Sequence, residues 1–236
     1  MIRWLFTGAC LAVLAAPALA TPEIAAESRL FATWKAPYGM PGAQENLDIP
    51  CEGAGEDTLY LSFDPGRDTP GMLGLSGTIY FHAAEGDSMR SYWRIDDMNV
   101  KGSPIRVSFE NDEQRGFNSP FQSPGAGQGR YDYVAGSGRL RIIYAVATNA
   151  ASPVKAGQVY GWARVILKRP AKAQGGCGQK LCVEWHAATL ALGPEDVSDT
   201  NGGPRWASIN SPEGTICGAF RSTYTSKTWK PKSAKP

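Results

Sequence analysis

Glu184 and His186 lie two residues apart in Cys182-Val183-Glu184-Trp185-His186. On an extended strand that spacing puts both side chains on one face. A carboxylate beside an imidazole can orient a general base, and the same pair also occurs on ordinary sheet surfaces. His82 is the other of two histidines, so a serine–histidine–aspartate arrangement is allowed by count. No G-x-S-x-G elbow supports one, and Gly74-Leu75-Ser76-Gly77 does not fit. Glycoside hydrolysis needs two carboxylates about 5–10 Å apart across a cleft. Asp96, Asp97, Glu110, Asp112 and Glu184 are the candidates by type alone. No catalytic residue is assigned. A binding role is expected, with a secreted glycan hydrolase or a structural component of an envelope assembly as the alternatives.

Asp196, Asp199 and Asn201 with Gly202 crowd oxygen ligands into one segment, as calcium sites do. The alternating D-x-[DN]-x-[DN]-G spacing is missing, and Asx turns account for the same residues. No cofactor is therefore expected, with calcium as the alternative. Zinc is disfavoured by the lack of paired C-x-x-C spacing. Four cysteines follow the leader, Cys51, Cys177, Cys182 and Cys217, and an even number in an exported chain reads as disulfides. Three pairings are open. Gly175, Gly176 and Gly178 make a tight Cys177–Cys182 loop easy to close, so that pair is expected, leaving Cys51 with Cys217.

Recognition surfaces are the better prospect. In Val159 to Leu167 one parity carries Val159, Gly161, Ala163, Val165 and Leu167, and the other carries Tyr160, Trp162, Arg164 and Ile166. If the first set faces the core, Tyr160 and Trp162 form a stacking surface for sugar rings and Arg164 a forked donor. The competing reading is that a second layer or a loop covers them. A second candidate is the long irregular stretch 111–138, rich in glycine and carrying Phe117, Phe121 and Tyr131. Segments of this length usually have a role of their own; otherwise Arg130 to Val134 is a strand and the remaining aromatics roof the core.

The elements that position these groups are strands. Period-two alternation recurs in Leu59–Asp64, Thr78–His82, Met89–Asp96, Ile105–Glu110, Leu140–Val146 and Val159–Leu167, each bounded by Gly, Pro, Asp or Asn. The last two runs are expected to be neighbouring central strands. In Leu181–Leu192 the apolar parity changes after Trp185, which predicts a bulge near Ala187 and Ala188. No window shows helical periodicity, and 27 glycines with 17 prolines call for many turns. The expected fold is all-β, a two-sheet antiparallel β-sandwich, jelly-roll-like, with long loops and two disulfides. Leu61, Phe81, Trp93, Val107, Ile142, Tyr144, Val165 and Trp185 should share its core.

Arg3, the apolar run Leu5–Ala16 and Ala18-Leu19-Ala20 read as a signal peptide over residues 1–20. Residues 21–226 then form one sandwich domain, and 227–236 a flexible tail rich in lysine and proline. The expected location is periplasmic or secreted. Net charge is only +2, so no basic field is available to hold nucleic acid. No apolar stretch after the leader is long enough to insert in a membrane. The expected partner is a protein or a polysaccharide, and the oligomeric state is not set by the sequence.

Three stretches resemble the cohesin-like and carbohydrate-binding-module sandwiches of secreted bacterial proteins. They are Thr58-Leu59-Tyr60-Leu61-Ser62-Phe63-Asp64-Pro65, Gly74 to Phe81, and Gly138-Arg139-Leu140-Arg141-Ile142 leading to Gly157 through Val165. The resemblance implies a jelly-roll sandwich with a non-catalytic binding role, and it transfers no individual functional residue. The Cys177–Cys182 segment, Trp206 to Cys217 and the lysine tail depart from it.

Overall fold

The structure is a computed structural model that describes residues 29–66, 68–84, 87–93, 105–120, 128–134, 138–169, 175–191, 197–200, 205–211 and 216–218. The expected leader (1–20) and tail (227–236), Asp96, Asp97, Phe121, Asp196, Asn201 and Gly202 lie outside them. The strands are β1 (Arg29–Trp34), β2 (Asn46–Leu47), β3 (Gly55–Asp64), β4 (Thr69–Ala83), β5 (Ile105–Ser108), β6 (Gln128–Val134), β7 (Arg139–Val154), β8 (Tyr160–Arg169), β9 (Leu181–Ala191), β10 (Val197–Thr200) and β11 (Arg205–Ile209). They form a four-stranded sheet, β1-β3-β8-β5, and a seven-stranded sheet, β2-β11-β9-β4-β7-β6, with β10 paired to β9. All pairings are antiparallel except β2 with β11. This is the all-β two-sheet sandwich that the alternation predicts.

The inner faces of both sheets share one apolar cluster, which contains Leu61, Phe81, Trp93, Ile142, Tyr144, Val165 and Trp185, with the half-buried Val107 packed against it. Two expectations are corrected. Leu140–Val146 and Val159–Leu167 are not neighbours: β7 pairs β4 and β6, whereas β8 crosses to the other sheet and pairs β3 and β5. Both runs are apolar because each lines one wall of the same core, and such a pattern is silent about sheet partners. Ser91–Trp93 is a 3-10 turn rather than strand. Its turn is held by the 175–176 backbone, which accepts from the Tyr92 amide at Gly175 and from the Trp93 indole N–H at Gly176.

The disulfides also differ from expectation, joining Cys51 to Cys177 and Cys182 to Cys217. Strand parity is the reason. Leu181 and Val183 on β9 point into the core, so Cys182 points outward, where it packs with Trp206 and Cys217. Cys177 sits at the core edge against Cys51. The two cysteines of the short loop therefore face opposite sides of the sheet. The bridges span 126 and 35 residues, each restricting the unfolded chain by about 4–5 kcal/mol on the loop-entropy model. Peptide mapping of the non-reduced protein will link Cys51 to Cys177 and Cys182 to Cys217; a linked Cys177–Cys182 peptide contradicts this arrangement.

Candidate functional site

The surface expected on β8 does not exist, and a single extra residue removes it. Leu61 of β3 stands opposite Ala163, but Ser62 stands opposite Gly161, so Trp162 is the bulged residue. Beyond the bulge the parity of β8 inverts. Trp162 turns inward with no exposed surface, edge-on to Trp185 at 4.9 Å and to Phe63 at 5.4 Å between ring centroids. Tyr160 also turns inward against Phe63, and its hydroxyl accepts from the Lys155 amide and donates to Gln158. Arg164 stays outward but is committed: it donates to Asp112 at 3.2 Å and to Ser108 at 3.3 Å.

Phe117 is likewise buried. It lies over Gly161, where a Cβ would come within 2.8 Å of its ring. The Gly161 amide donates to the Asn118 carbonyl at 2.7 Å, completing a roof over the outer face of the four-stranded sheet. Tyr160, Trp162 and Phe117 thus belong to the packing, which corrects their assignment as ligand contacts. Tyr131 lies on β6, in register with Ile142. β6 itself occupies the stretch that the sequence marks as a strand inside 111–138.

On the outer face of the seven-stranded sheet, the Glu184–His186 pair is real and includes His82. Glu184 has no exposed surface; its carboxylate lies 2.6 Å from His82 Nε2 and 2.6 Å from His186 Nδ1. An ionised carboxylate only accepts, so both ring nitrogens must carry protons toward it. A bulge builds this arrangement too: Thr78 pairs with Ala187 and Ile79 with Trp185, leaving His186 extra and free to fold back onto Glu184. It falls beside the position predicted from the parity change. Tyr80 packs at 5.2 Å from the His186 ring and 5.5 Å from the His82 ring, and the Arg139 guanidinium lies over its face at 5.1 Å.

Burial pushes the Glu184 carboxyl up. Hydrogen bonds from His186 and His82 and their electrostatic attraction outweigh it and hold the group at about 2. Glu184 is therefore a fixed anion that orients two imidazoles, with neither the protonation nor the exposure a glycosidase acid needs. Glu110 and Asp112, which both approach Arg164, lie over the opposite sheet. No cluster of ligands that could hold a metal occurs among the described residues.

An open groove of about 690 Å³ lies at the end of the same sheet, where β4 stops and β9 begins. Ala84, Asp87 and Arg90 contribute to its lining together with Gln179, Lys180 and Ile216 and the glycines 176 and 178. Its walls are fixed. Gln179 accepts from the Arg90 amide and donates to the Ser88 carbonyl. Gly176 has φ +94°, and a Cβ there would collide with the Arg90 side chain, so only glycine fits. Cys177 beneath and Cys217 beside Ile216 are both in disulfides. The glycines that read as flexibility in the sequence are the floor of this groove. Its charged residues carried no sequence signal, because they are brought together from two segments about 90 residues apart.

No protein-family model and no curated protein sequence matches the chain. Among solved structures it is similar to a cohesin module of a family 33 glycoside hydrolase from Clostridium perfringens, with 11% identity, a TM-score of 0.36, and 78% of this chain and 98% of that one covered. The second type II cohesin module of the ScaA scaffoldin of Acetivibrio cellulolyticus gives 8%, 0.35, 79% and 98%. AvmM, which catalyses macrocyclization in alchivemycin A biosynthesis, gives 14%, 0.34, 77% and 87%. None of the site residues is carried over from them.

Two outcomes follow. Because the Glu184 carboxyl is held below its unfolded value near 4.5, its contribution is complete above that pH and is lost as pH falls toward 2. Urea unfolding across this window will show a loss on the order of 3 kcal/mol for the wild type, and a flatter profile for Glu184→Gln; parallel profiles would disprove the assignment. Trp162→Ala will lower unfolding free energy by about 3–5 kcal/mol, as for a buried aromatic, rather than leave it unchanged as a surface residue would.

Proposed function

We propose that the protein is an exported, non-catalytic binding module that takes a segment of a protein partner in the groove lined by Arg90, Gln179 and Lys180. One observation carries the reading: the groove is open, solvent-lined and built on backbone fixed by two disulfides and by the Gln179 bridges. A rigid seat spares the ordering cost that weakens association. Its open shape suits an extended segment rather than an enclosed small molecule. The leader-like start of the sequence and the pair of disulfides support export, since disulfides persist in oxidising compartments. No described helix is long and apolar enough to cross a membrane.

A polysaccharide ligand loses its basis on β8, because the aromatics that were to stack on sugar are inside the core. Gly178 offers a clean test. It is exposed, its backbone is not left-handed, and an added Cβ meets only Cys51 Sγ at 3.9 Å. Gly178→Trp will fill the groove without straining the fold. Random peptides displayed on phage and selected on the wild type will yield families that bind at least about tenfold more weakly to Gly178→Trp, with the melting temperature retained. Recovery of no family, or families indifferent to Gly178→Trp, would overturn the reading.

A further inference from the structure

β6 ends the seven-stranded sheet. Among the described strands it pairs only with β7, in an unbroken antiparallel register from Gln128 opposite Ala145 to Val134 opposite Arg139. In such a ladder alternate residues direct their N–H and C=O groups away from the neighbouring strand. The far side of β6 is therefore a row of backbone donors and acceptors with no described strand beside it. Sheet edges are ordinarily guarded by proline, lysine, a bulge or short length. Gln128-Gly129-Arg130-Tyr131-Asp132-Tyr133-Val134 has no proline, no lysine and no bulge, and it is seven residues long. The two charges it does carry are of opposite sign. β5, at an edge of the other sheet, has only four residues, and pairing it with itself about Arg106 would set arginine against arginine.

Run antiparallel against a second copy, β6 is complementary to itself. About a two-fold axis at Tyr131, the midpoint of the strand, Gln128 stands opposite Val134, Gly129 opposite Tyr133, Arg130 opposite Asp132, and Tyr131 opposite its own copy. This register uses the whole strand and makes two arginine–aspartate pairs. Moving the axis to Arg130 or to Asp132 shortens the ladder and sets like charges against each other, which is destabilising. Pairing with β7 places Arg130 opposite the exposed Ile143 and Asp132 opposite Arg141, so the row across the junction runs Arg141, Asp132, then Arg130 of the other copy. From this edge and this charge match we infer that two copies of the chain associate through β6 and form one continuous sheet. The contact is isologous and closed, so association stops at a dimer. Opposite-charge and aromatic cross-strand pairs favour it, and an aromatic residue opposite an edge glycine compensates for the missing side chain. The inference does not depend on the groove being a ligand seat.

The test follows the oligomeric state of the full mature protein by sedimentation velocity. The wild type will show a concentration-dependent monomer–dimer equilibrium, and amide hydrogen exchange at 128–134 will be slower in the dimer than in the monomer. Arg130→Asp and Asp132→Arg will each weaken self-association by about tenfold or more, since each turns two opposite-charge pairs into two like-charge pairs, at unchanged melting temperature. Mixed in equal amounts, the two variants will associate with each other as tightly as the wild type does with itself, because every arginine of one then stands opposite an aspartate of the other. Misfolding of either variant cannot produce that rescue, and the exchange measurement on the wild type needs no variant. A wild type that stays monomeric at every concentration would overturn the inference. So would a dimer whose 128–134 amides exchange as they do in the monomer, self-association indifferent to both substitutions, or two folded variants that fail to associate on mixing.

Discussion

The single extra residue in β8 is the constraint from which most of this architecture follows. At Trp162 the strand gains one residue against β3, and every side chain on the N-terminal side of that point changes face. The indole that would have lain on the surface enters the gap between the sheets and touches Phe63 from one wall and Trp185 and Tyr144 from the other. Edge-on aromatic pairs of this kind are favourable beyond their buried area. The same shift brings Gly161 outward, where the missing side chain is the space into which Phe117 fits. Arg164, on the unshifted side, remains outside to hold Asp112 and Ser108. Core and roof on that sheet are thus one solution to one register change.

The seven-stranded sheet repeats the device with polar consequences. The extra residue at His186 lets an imidazole reach back to Glu184, while His82 approaches from the adjoining strand. A carboxylate with no exposed surface would be costly to ionise alone. Two donors satisfy both of its oxygens and keep it charged. The cluster also explains why the outward side of β4 and β9 is polar even where it is buried: His82, Glu184 and Cys182 are covered, with Trp206 and Cys217 packed on the latter.

The groove end of the sheet is stiff for a different reason. Loops at the rim of a sandwich ordinarily have few tertiary contacts and open easily. Here Cys177 is tied to Cys51 and Cys217 to Cys182, and the Gly175–Gly176 backbone accepts from Ser91, Tyr92 and Trp93.

What the sequence determined was local. Alternation identified β3, β7 and β8 and, except at Tyr160 and Trp162 of β8, the core residues they contribute. The parity change after Trp185 announced the bulge at His186, and the glycine and proline content required a sandwich with many turns. Oxidised cysteines and the Glu184–His186 pair were also legible. Tertiary structure alone decided which sheet each strand joined, because a period-two pattern records burial and not partners. It decided the bulge at Trp162, since every residue from Tyr160 to Leu167 except Arg164 is compatible with burial and no break in pattern marks the extra one. It decided the disulfides, because opposite strand faces separate Cys177 from Cys182 however short the loop. The groove arises from segments around residues 84–90, 176–180 and 216, which converge only when β4, β9 and the Cys182–Cys217 bridge are in place. Chemistry assembled from segments so far apart leaves no spacing for a sequence to display.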